Sequence, residues 1–310
     1  MQGEKKEKNF ISSIIYLHNN EKNIEWFLDK LTSELVKNFK YSEIICVDDA
    51  STDRTKDKVR VFAEKHKEVS FTIVHMSFFQ GLESCMNAGM DFSTGDYVYE
   101  FDSVLMDYET SIIFEAYQHV LKGYDIVNVA SDGKKKMTSK IFYKFYNRYA
   151  DKQYSLNTET FRILSRRAIN RVYALNHSIS YRKATYAGSG LNMDTIIYKK
   201  LDNHMIPITK NTKRKEVAAE AFILFTDIGY RITRTLSIIM MCITVLVALY
   251  AILIFIGKTP VEGWTTTILF LSFAFFGLFG ILAIIIKYLS VIVKILYQKQ
   301  NYIFESIEKI

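Results

Sequence analysis

Short apolar runs alternate with longer amphipathic segments over residues 10–130 of the chain. The runs at 10–17, 43–48, 69–75, 95–102 and 124–130 have the length and composition of buried strands. Between the first two, Ile24, Phe27, Leu28, Leu31 and Leu35 recur at helical spacing, and similar amphipathic segments follow at 54–65, 81–91 and 108–121. The alternation predicts right-handed βαβ units, and therefore an α/β fold with a mainly parallel sheet and flanking helices.

A different pattern follows the basic stretch at 210–215. Residues 236–257 and 266–286 are apolar runs of 22 and 21 residues, each long enough to cross a bilayer. They predict a transmembrane helical hairpin within 235–287, after a domain at 1–215 and before a C-terminal helix at 288–310. Residues 216–234 mix apolar and charged side chains, which indicates an amphipathic juxtamembrane helix or, alternatively, a core helix of the first domain.

The charges around these runs predict an orientation. Arg231, Arg234 and Lys287 flank the outer ends of the two runs, whereas only Lys258 lies in their connection. The positive-inside rule then places both termini and the first domain in the cytoplasm. The three cysteines are far apart and lack metal-like spacing, which suits a reducing compartment. Residues 1–6 have no apolar core, so no signal peptide is expected.

The net charge of +7 comes partly from basic groups at 134–148 and 210–215. A solvated surface is the simplest interpretation of such groups. Because no nucleic-acid module accompanies them, nucleic acid is not an expected partner. Anionic membrane lipids and a phosphate-bearing lipid substrate are the expected partners next to membrane spans.

Acidic side chains stand at the ends of two predicted strands. Asp48 and Asp49 follow the run that begins at Glu43, and Asp102 ends the run at 95–102. In open α/β sheets, ligands bind beyond the carboxyl ends of strands. Carboxylates there can accept hydrogen bonds from a base or ribose, or hold a divalent cation that bridges diphosphate oxygens. Helix capping and turn formation are the alternatives. Glu100 lies on the same strand face as Asp102, either as a helper or as a paired core acid.

These residues carry a resemblance to a known family. The segment VDDASTD at 47–53 resembles the "VDDGSTD" strand end of family 2 glycosyltransferases with the GT-A fold. Residues 95–102 and 16–21 are similar to the "GDYVVxLDAD" and "PVYNEE" segments of that family. The segments SKIFYKFYNR at 139–148 and FRILSRR at 161–167 resemble the polyprenyl-phosphate branch, which includes dolichol-phosphate mannose synthase and bacterial undecaprenyl-phosphate glucosyltransferases.

The resemblance implies a GT-A enzyme of the bacterial inner membrane that transfers sugar from a nucleotide-sugar, a UDP-sugar above all, to undecaprenyl phosphate. Such a reaction serves cell-envelope polysaccharide. By this resemblance His18, Asp48, Asp49 and Asp102 bind the donor, and Asp102 is also the catalytic residue. The implied cofactor is Mg²⁺ or Mn²⁺, held by Asp102. Lys140, Arg148 and Arg162 are the implied ligands of the acceptor phosphate.

The chain also departs from the family pattern. Where the family has an Asp-x-Asp motif, this chain has Asp102-Ser103-Val104, and valine cannot bind a metal. Two other functions therefore stay open. One is the extension of a lipid-linked oligosaccharide, and the other is a non-catalytic membrane scaffold that kept the fold. An apolar stripe at Leu289 and Ile292 would also allow contact with a second copy of the chain.

Overall fold

The computed structural model describes residues 6–132, 159–175, 182–201 and 302–310, together with scattered helical positions between 235 and 292. The chain divides into two compact units. The first comprises Met1–Ala218 with Lys299–Ile310, and the second comprises Ala219–Gln298. All strands and helices named below belong to the first unit.

Eight strands and six helices make up the described part of this first unit. The strands are β1 (Glu7–Leu17), β2 (Phe39–Asp48), β3 (Ser70–Met76), β4 (Tyr97–Phe101), β5 (Ile126–Ser131), β6 (Phe161–Ser165), β7 (Met193–Tyr198) and β8 (Phe304–Lys309). The helices are α1 (Ile24–Asn38), α2 (Thr55–Lys65), α3 (Leu82–Phe92), α4 (Ser111–Leu121), α5 (Arg166–Leu175) and α6 (Arg182–Ala187). The predicted alternation of strands and helices up to residue 130 is confirmed.

The strands form one sheet in the order β7-β5-β6-β4-β1-β2-β3-β8. The pairs β1–β2, β1–β4, β2–β3 and β5–β7 are parallel, while β4–β6, β5–β6 and β3–β8 are antiparallel. The predicted α/β fold with flanking helices is therefore confirmed, and its sheet is mixed, with four parallel and three antiparallel pairs. The order reverses at β1, which lies between β2 and β4, so the carboxyl ends of these three strands border the crevice where ligands bind in open α/β sheets.

Apolar side chains cover both faces of the sheet. Ile11 and Ile15 of β1 belong to one buried cluster, whereas Ile14 belongs to the cluster on the opposite face. Helix α3 packs closely on that second face. The close approach is seen at Gly89, where an added Cβ would lie 2.3 Å from Ile14 Cγ2. Strands buried on both faces account for the continuous apolar runs in the sequence.

The C-terminal end differs from the prediction of a helix over 288–310. Residues Phe304–Lys309 form β8, which pairs antiparallel with β3. The prediction was wrong for this segment because β3 presents a free edge whose backbone N–H and C=O groups need partners. Side chains reinforce the pairing, since Arg60 Nε lies 2.7 Å from Glu308 Oε1.

The predicted membrane hairpin falls largely on residues that the structure does not describe. The juxtamembrane segment 216–234 lies wholly outside the described residues, and the spans 236–257 and 266–286 are described only at scattered positions. Among the described residues, no helix has the length and hydropathy that a membrane crossing requires. Within the second unit, Gly277 lies close to Met240, whose Sδ would be 2.9 Å from an added Cβ. The hairpin stays a prediction.

Candidate active site

Asp49 is the anchor of the crevice at the end of β2. Its carboxylate is fully buried. Oδ1 accepts a hydrogen bond from the Gln80 backbone N–H at 2.6 Å, and Oδ2 accepts from the Gly81 N–H at 2.8 Å and from the Tyr16 hydroxyl at 3.0 Å. A charge at the N-terminus of α3 is favourable because unpaired amide groups point toward it. Asp49 therefore ties the ends of β1 and β2 to the start of α3.

Asp48 is also occupied by the protein. It is 1% exposed. The Ser51 backbone N–H donates to both of its carboxylate oxygens, each at 3.3 Å. Burial raises the pKa of Asp48, and the hydrogen bonds from Ser51 oppose that rise. Both predicted nucleotide ligands of this turn, Asp48 and Asp49, thus have protein partners here. Their direct contact with a nucleotide stays a prediction.

His18 lies at the mouth of the crevice, directly after β1. Its Nδ1 is 2.7 Å from the Asp49 carbonyl oxygen, and its ring lies 4.7 Å from the Phe79 ring, centroid to centroid. The ring is half-buried. His18 and Phe79 together give this wall of the crevice an apolar, aromatic surface.

Two turns beside His18 hold unusual backbone conformations. Asn19 and Ala50 have φ of 54° and 50°, in the left-handed region. The Asn19 side chain accepts a hydrogen bond from the Thr52 N–H at 2.9 Å, and the Asn19 N–H donates to Ser51 Oγ at 3.0 Å. Asparagine tolerates this region better than alanine does, so Ala50 carries the strain of the turn.

Asp102 directly follows β4, and its side chain is 14% exposed. Oδ1 accepts from Arg182 Nη2 at 2.9 Å, whereas Arg162 Nη2 at 3.4 Å and Lys183 Nζ at 3.7 Å approach Oδ2. Burial alone would raise the pKa of Asp102, but Arg162, Arg182 and Lys183 together hold it well below its usual range. Asp102 is therefore ionised at neutral pH.

A buried network of charges, here called the Asp102 cluster, surrounds this carboxylate. Its members are Glu83, Glu100, Asp102, Glu159, Arg162, Arg182 and Lys183. Four carboxylates and three cations leave one net negative charge, which favours rather than opposes a further cation at the crevice. Burial disfavours the charged form of Arg162, yet Asp102, Glu159 and Glu100 keep its pKa above the usual range.

Glu100 lies at the centre of the cluster and has no exposed surface. Its Oε2 is 2.7 Å from Nη1 of Arg162 and 2.7 Å from Nη1 of Arg182, and Oε1 accepts from the Tyr186 hydroxyl at 3.0 Å. The Arg182 Nη1 contact is an ion pair that lacks hydrogen-bond geometry. Of the two roles considered for Glu100, a helper of Asp102 or a paired core acid, the structure supports the paired core acid.

The predicted acceptor ligands fall in different places. Arg162 is fully buried on β6 and donates to Glu100 at 2.7 Å, with Glu159 Oε2 at 2.9 Å from its Nη2. Its guanidinium is thus engaged by carboxylates, and a direct contact with a lipid phosphate stays a prediction. Lys140 and Arg148 lie outside the described residues.

Sequence reasoning missed Arg182 and Lys183 on α6. They stand 80 and 81 residues from Asp102 in the chain, without a recognisable spacing motif. One signal did point to them. Glu100 interrupts an otherwise apolar strand, and a buried carboxylate requires a cationic partner.

The described residues hold no group of three or more His, Cys, Asp or Glu side chains able to bind a metal ion. Val104, which stands where the family has its second acid, is buried in the apolar core. A single carboxylate still fits Mg²⁺, which proteins hold through one or two carboxylates while substrate phosphates and water supply the other ligands. The ionised Asp102 would take that role, with oxygens that it shares with Arg162, Arg182 and Lys183.

Comparison with known proteins now identifies the family. The model of "Glycosyl transferase family 2" matches residues 12–173, which is just over half of the chain. The chain belongs to glycosyl transferase family 2. The match runs from Ser12 within β1 to Tyr173 within the helix α5 and includes Asp102, so the family inferred from the sequence is confirmed.

Relatives within this family extend the similarity. An uncharacterized glycosyltransferase of Synechocystis sp. is 28% identical over 194 residues, which are 61% of this chain and 60% of that protein. The bactoprenol glucosyl transferase of Shigella phage SfX is 24% identical over 275 residues, 85% of this chain and 88% of that protein. The chain spans about 60% of the length of the first two curated relatives that it matches.

Two solved structures are similar at a lower level of identity. The mannosyltransferase PcManGT from Pyrobaculum calidifontis, solved in complex with GDP-Man and Mn²⁺, has a TM-score of 0.49 and 15% identity, with 94% of this chain and 88% of that chain covered. The glucosyl-3-phosphoglycerate synthase from Mycobacterium tuberculosis has a TM-score of 0.49 and 15% identity, with 69% of this chain and 78% of that chain covered.

Proposed function

We propose that this family 2 protein transfers a sugar from a UDP-sugar to undecaprenyl phosphate, or a closely similar polyprenyl phosphate, at the bacterial inner membrane. The observation that carries the proposal is Asp102, a carboxylate kept ionised at the carboxyl end of β4, in the crevice where the strand order reverses. The names of several relatives, as bactoprenol glucosyl transferases, support the lipid acceptor. Two apolar runs support a membrane anchor with the catalytic domain in the cytoplasm.

In the reaction, an oxygen of the acceptor phosphate forms a bond to the anomeric carbon of the donor sugar. The bond from that carbon to the diphosphate oxygen breaks, and its electron pair leaves with the nucleotide. A phosphate oxygen is already a nucleophile near neutral pH, so the step needs no dedicated general base. The protein contributes positioning and charge stabilisation.

Asp102 is the residue that faces the reacting diphosphate. When bound, Mg²⁺ or Mn²⁺ would be ligated by Asp102 and would neutralise the charge of the leaving diphosphate. Arg162, Arg182 and Lys183 hold the Asp102 carboxylate ionised and in place. Because both oxygens of Asp102 have cationic partners, its orientation is set before a substrate binds, as electrostatic preorganisation requires.

The direct test compares transfer of radiolabelled sugar from UDP-sugars to undecaprenyl phosphate by the wild type and by Asp102→Asn. We expect a loss of at least about 100-fold in kcat, the range seen when one preorganised electrostatic group is removed. Asp125→Asn is the matched control. Asp125 is also buried and ion-paired, with Arg167 Nη2 at 2.6 Å, but it precedes β5, at the end of the strands opposite to Asp102.

The control should retain activity within about threefold of the wild type. Undiminished transfer by Asp102→Asn would exclude the role assigned to Asp102. Mass spectrometry of the product distinguishes the acceptors, because one sugar on a lipid monophosphate differs in mass from an extended glycan on a lipid diphosphate. Absence of UDP binding both with and without Mn²⁺ would favour the non-catalytic scaffold that kept the fold.

A further inference from the structure

The C-terminal segment 302–310 touches the loop that carries the Asp49 contacts. The Ile303 N–H donates to Gln80 Oε1 at 2.8 Å, and Gln80 Nε2 donates back to the Ile303 carbonyl oxygen at 2.5 Å. The Ser77 N–H donates to the same carbonyl oxygen at 3.2 Å. The carboxamide of Gln80 thus pairs with Ile303 as a strand residue would, and it continues the β3–β8 pairing into the loop.

The backbone of Gln80 faces the crevice. The Gln80 N–H donates to Asp49 Oδ1, and the next N–H, of Gly81, donates to Asp49 Oδ2. Gly81 has a φ of 92°, a conformation that favours glycine, and it leads directly into α3. Gln80 therefore connects the C-terminal segment on one side to the end of β2 on the other.

The loop between these two attachments, residues 77–81, carries the aromatic wall of the crevice. The Phe79 ring lies against His18, and Phe78 is 53% exposed. Flat aromatic surfaces beside a diphosphate-binding edge suit a nucleobase, whose π-face stacks on such rings. The position of this wall depends on how Gln80 is held.

We propose that Gln80 is a positioning residue, which uses the C-terminal segment 302–310 to hold loop 77–81 in the shape that binds the nucleoside of the donor. This inference rests on the function proposed above. It assigns to the last residues of the chain a role in donor affinity, although they follow the apolar runs in sequence and lie at the edge of the sheet.

The rest of the segment has anchors of its own, so the effect of Gln80 can be separated from docking of the strand. The Tyr302 hydroxyl donates to Asp91 at 2.7 Å, and the Phe304 ring packs edge-on against Phe92 at 5.6 Å. Arg60 and Glu308 pair at the far end of β8. Loss of the Gln80 carboxamide should thus leave β8 in place while loop 77–81 moves.

The experiment uses the full-length chain, purified in detergent, and measures UDP affinity by isothermal titration in the presence of Mg²⁺. Gln80→Met keeps the length of the side chain and removes both hydrogen bonds to Ile303. We expect the Kd for UDP to rise about tenfold, the equivalent of one to two net hydrogen bonds. In the transfer assay, KM for the donor should rise by a similar factor with kcat nearly unchanged.

Glu308→Gln is the matched control, because it weakens β8 far from the loop. Its Kd should stay within about twofold of the wild type while its melting temperature falls as far as that of Gln80→Met. Ile303→Pro is the second variant and removes the N–H that donates to Gln80 Oε1. Because both variants lose the hydrogen bond between the Ile303 N–H and Gln80, the double variant should bind UDP no more weakly than the weaker-binding single variant.

The outcomes separate this inference from the proposed function. If the wild type binds UDP and Gln80→Met and Ile303→Pro bind it equally well, the positioning role is wrong and the donor site stands. If the control loses affinity to the same extent, the effect is general destabilisation and the inference is overturned. If the wild type binds no UDP, the proposed donor is wrong, and this inference falls with it.

Discussion

Replacing Glu100 by Gln is expected to destabilise the sheet domain by about 3 kcal/mol, the lower end of the range for breaking a buried ion pair. Glu100 has no exposed surface, and Arg162 and Arg182 both place Nη1 at 2.7 Å from its Oε2. Glutamine keeps the shape and an acceptor oxygen but removes the charge. Both guanidinium groups then stay buried with less compensation.

The magnitude follows from these contacts. Glu100 accepts two hydrogen bonds, from Arg162 Nη1 and from the Tyr186 hydroxyl. A hydrogen bond to a charged group contributes about 1.5–3 kcal/mol, so the two give about 3–6 kcal/mol. The amide oxygen of Gln retains part of that attraction, which places the expected loss near the lower limit. In a domain of this size each kcal/mol shifts the melting temperature by about 2–4 °C. Glu100→Gln should therefore melt about 6–12 °C below the wild type.

Near-ultraviolet circular dichroism of the purified chain measures that shift. Glu308→Gln serves as the control, since Glu308 is 32% exposed and pairs with Arg60, which is 40% exposed, besides a longer contact of 3.4 Å with His75. Exposed pairs contribute about 0.2–1 kcal/mol, so this control should melt no more than about 4 °C below the wild type. A Glu100→Gln protein that melts no lower than the control would refute the reasoning about the buried cluster.

Three further outcomes are expected. Ala50→Gly should raise the melting temperature by about 2–4 °C, because a left-handed alanine costs roughly 1 kcal/mol or more; an unchanged value would contradict strain in this turn. Gly89→Ala should cost about 1–3 kcal/mol, since its Cβ would lie 2.3 Å from Ile14 Cγ2, and a neutral result in thermal unfolding would contradict the close packing of α3. The pKa of Asp102 is lower in the folded than in the unfolded chain, so its stabilisation is present at neutral pH and is lost as pH falls below the ordinary range of Asp. The difference in melting temperature between wild type and Asp102→Asn should therefore narrow between pH 7 and pH 3, and a difference that is constant with pH would count against the ion pairs.

The sequence alone determined the strands and helices of the first 130 residues. β1, β2, β4 and β5 coincide closely with apolar runs, because a strand covered on both faces needs apolar side chains at nearly every position. The carboxylates at the ends of β2 and β4 also predicted a site, since burying a carboxylate after an apolar strand costs free energy unless it has a partner or a ligand. Asp102 was found in this way, and the family followed from the same motifs.

The sequence did not predict the partners of those carboxylates. Arg162 and Arg182 meet Asp102 from 60 and 80 residues away, on β6 and α6. The contact of Asp49 with a nucleotide stays a prediction, and the structure adds two backbone donors to its oxygens, Gln80 and Gly81 just before α3. Backbone amide groups are present at every residue, so no residue type along the chain marks such a donor.

The C-terminal segment shows the same division most clearly. Residues Phe304–Lys309 alternate apolar and charged side chains too irregularly to predict a strand, and their pairing partner, β3, lies more than 200 residues earlier in the chain. Local propensity is a weak guide when a free sheet edge offers a full row of hydrogen bonds. The sequence thus determined what the local burial pattern encodes, namely the strands and helices of the first 130 residues and the acidic strand ends. Only the tertiary structure decided the long-range contacts, namely the ion pairs of the Asp102 cluster and the Gln80–Ile303 pair, because these depend on which distant groups the fold brings within bonding distance.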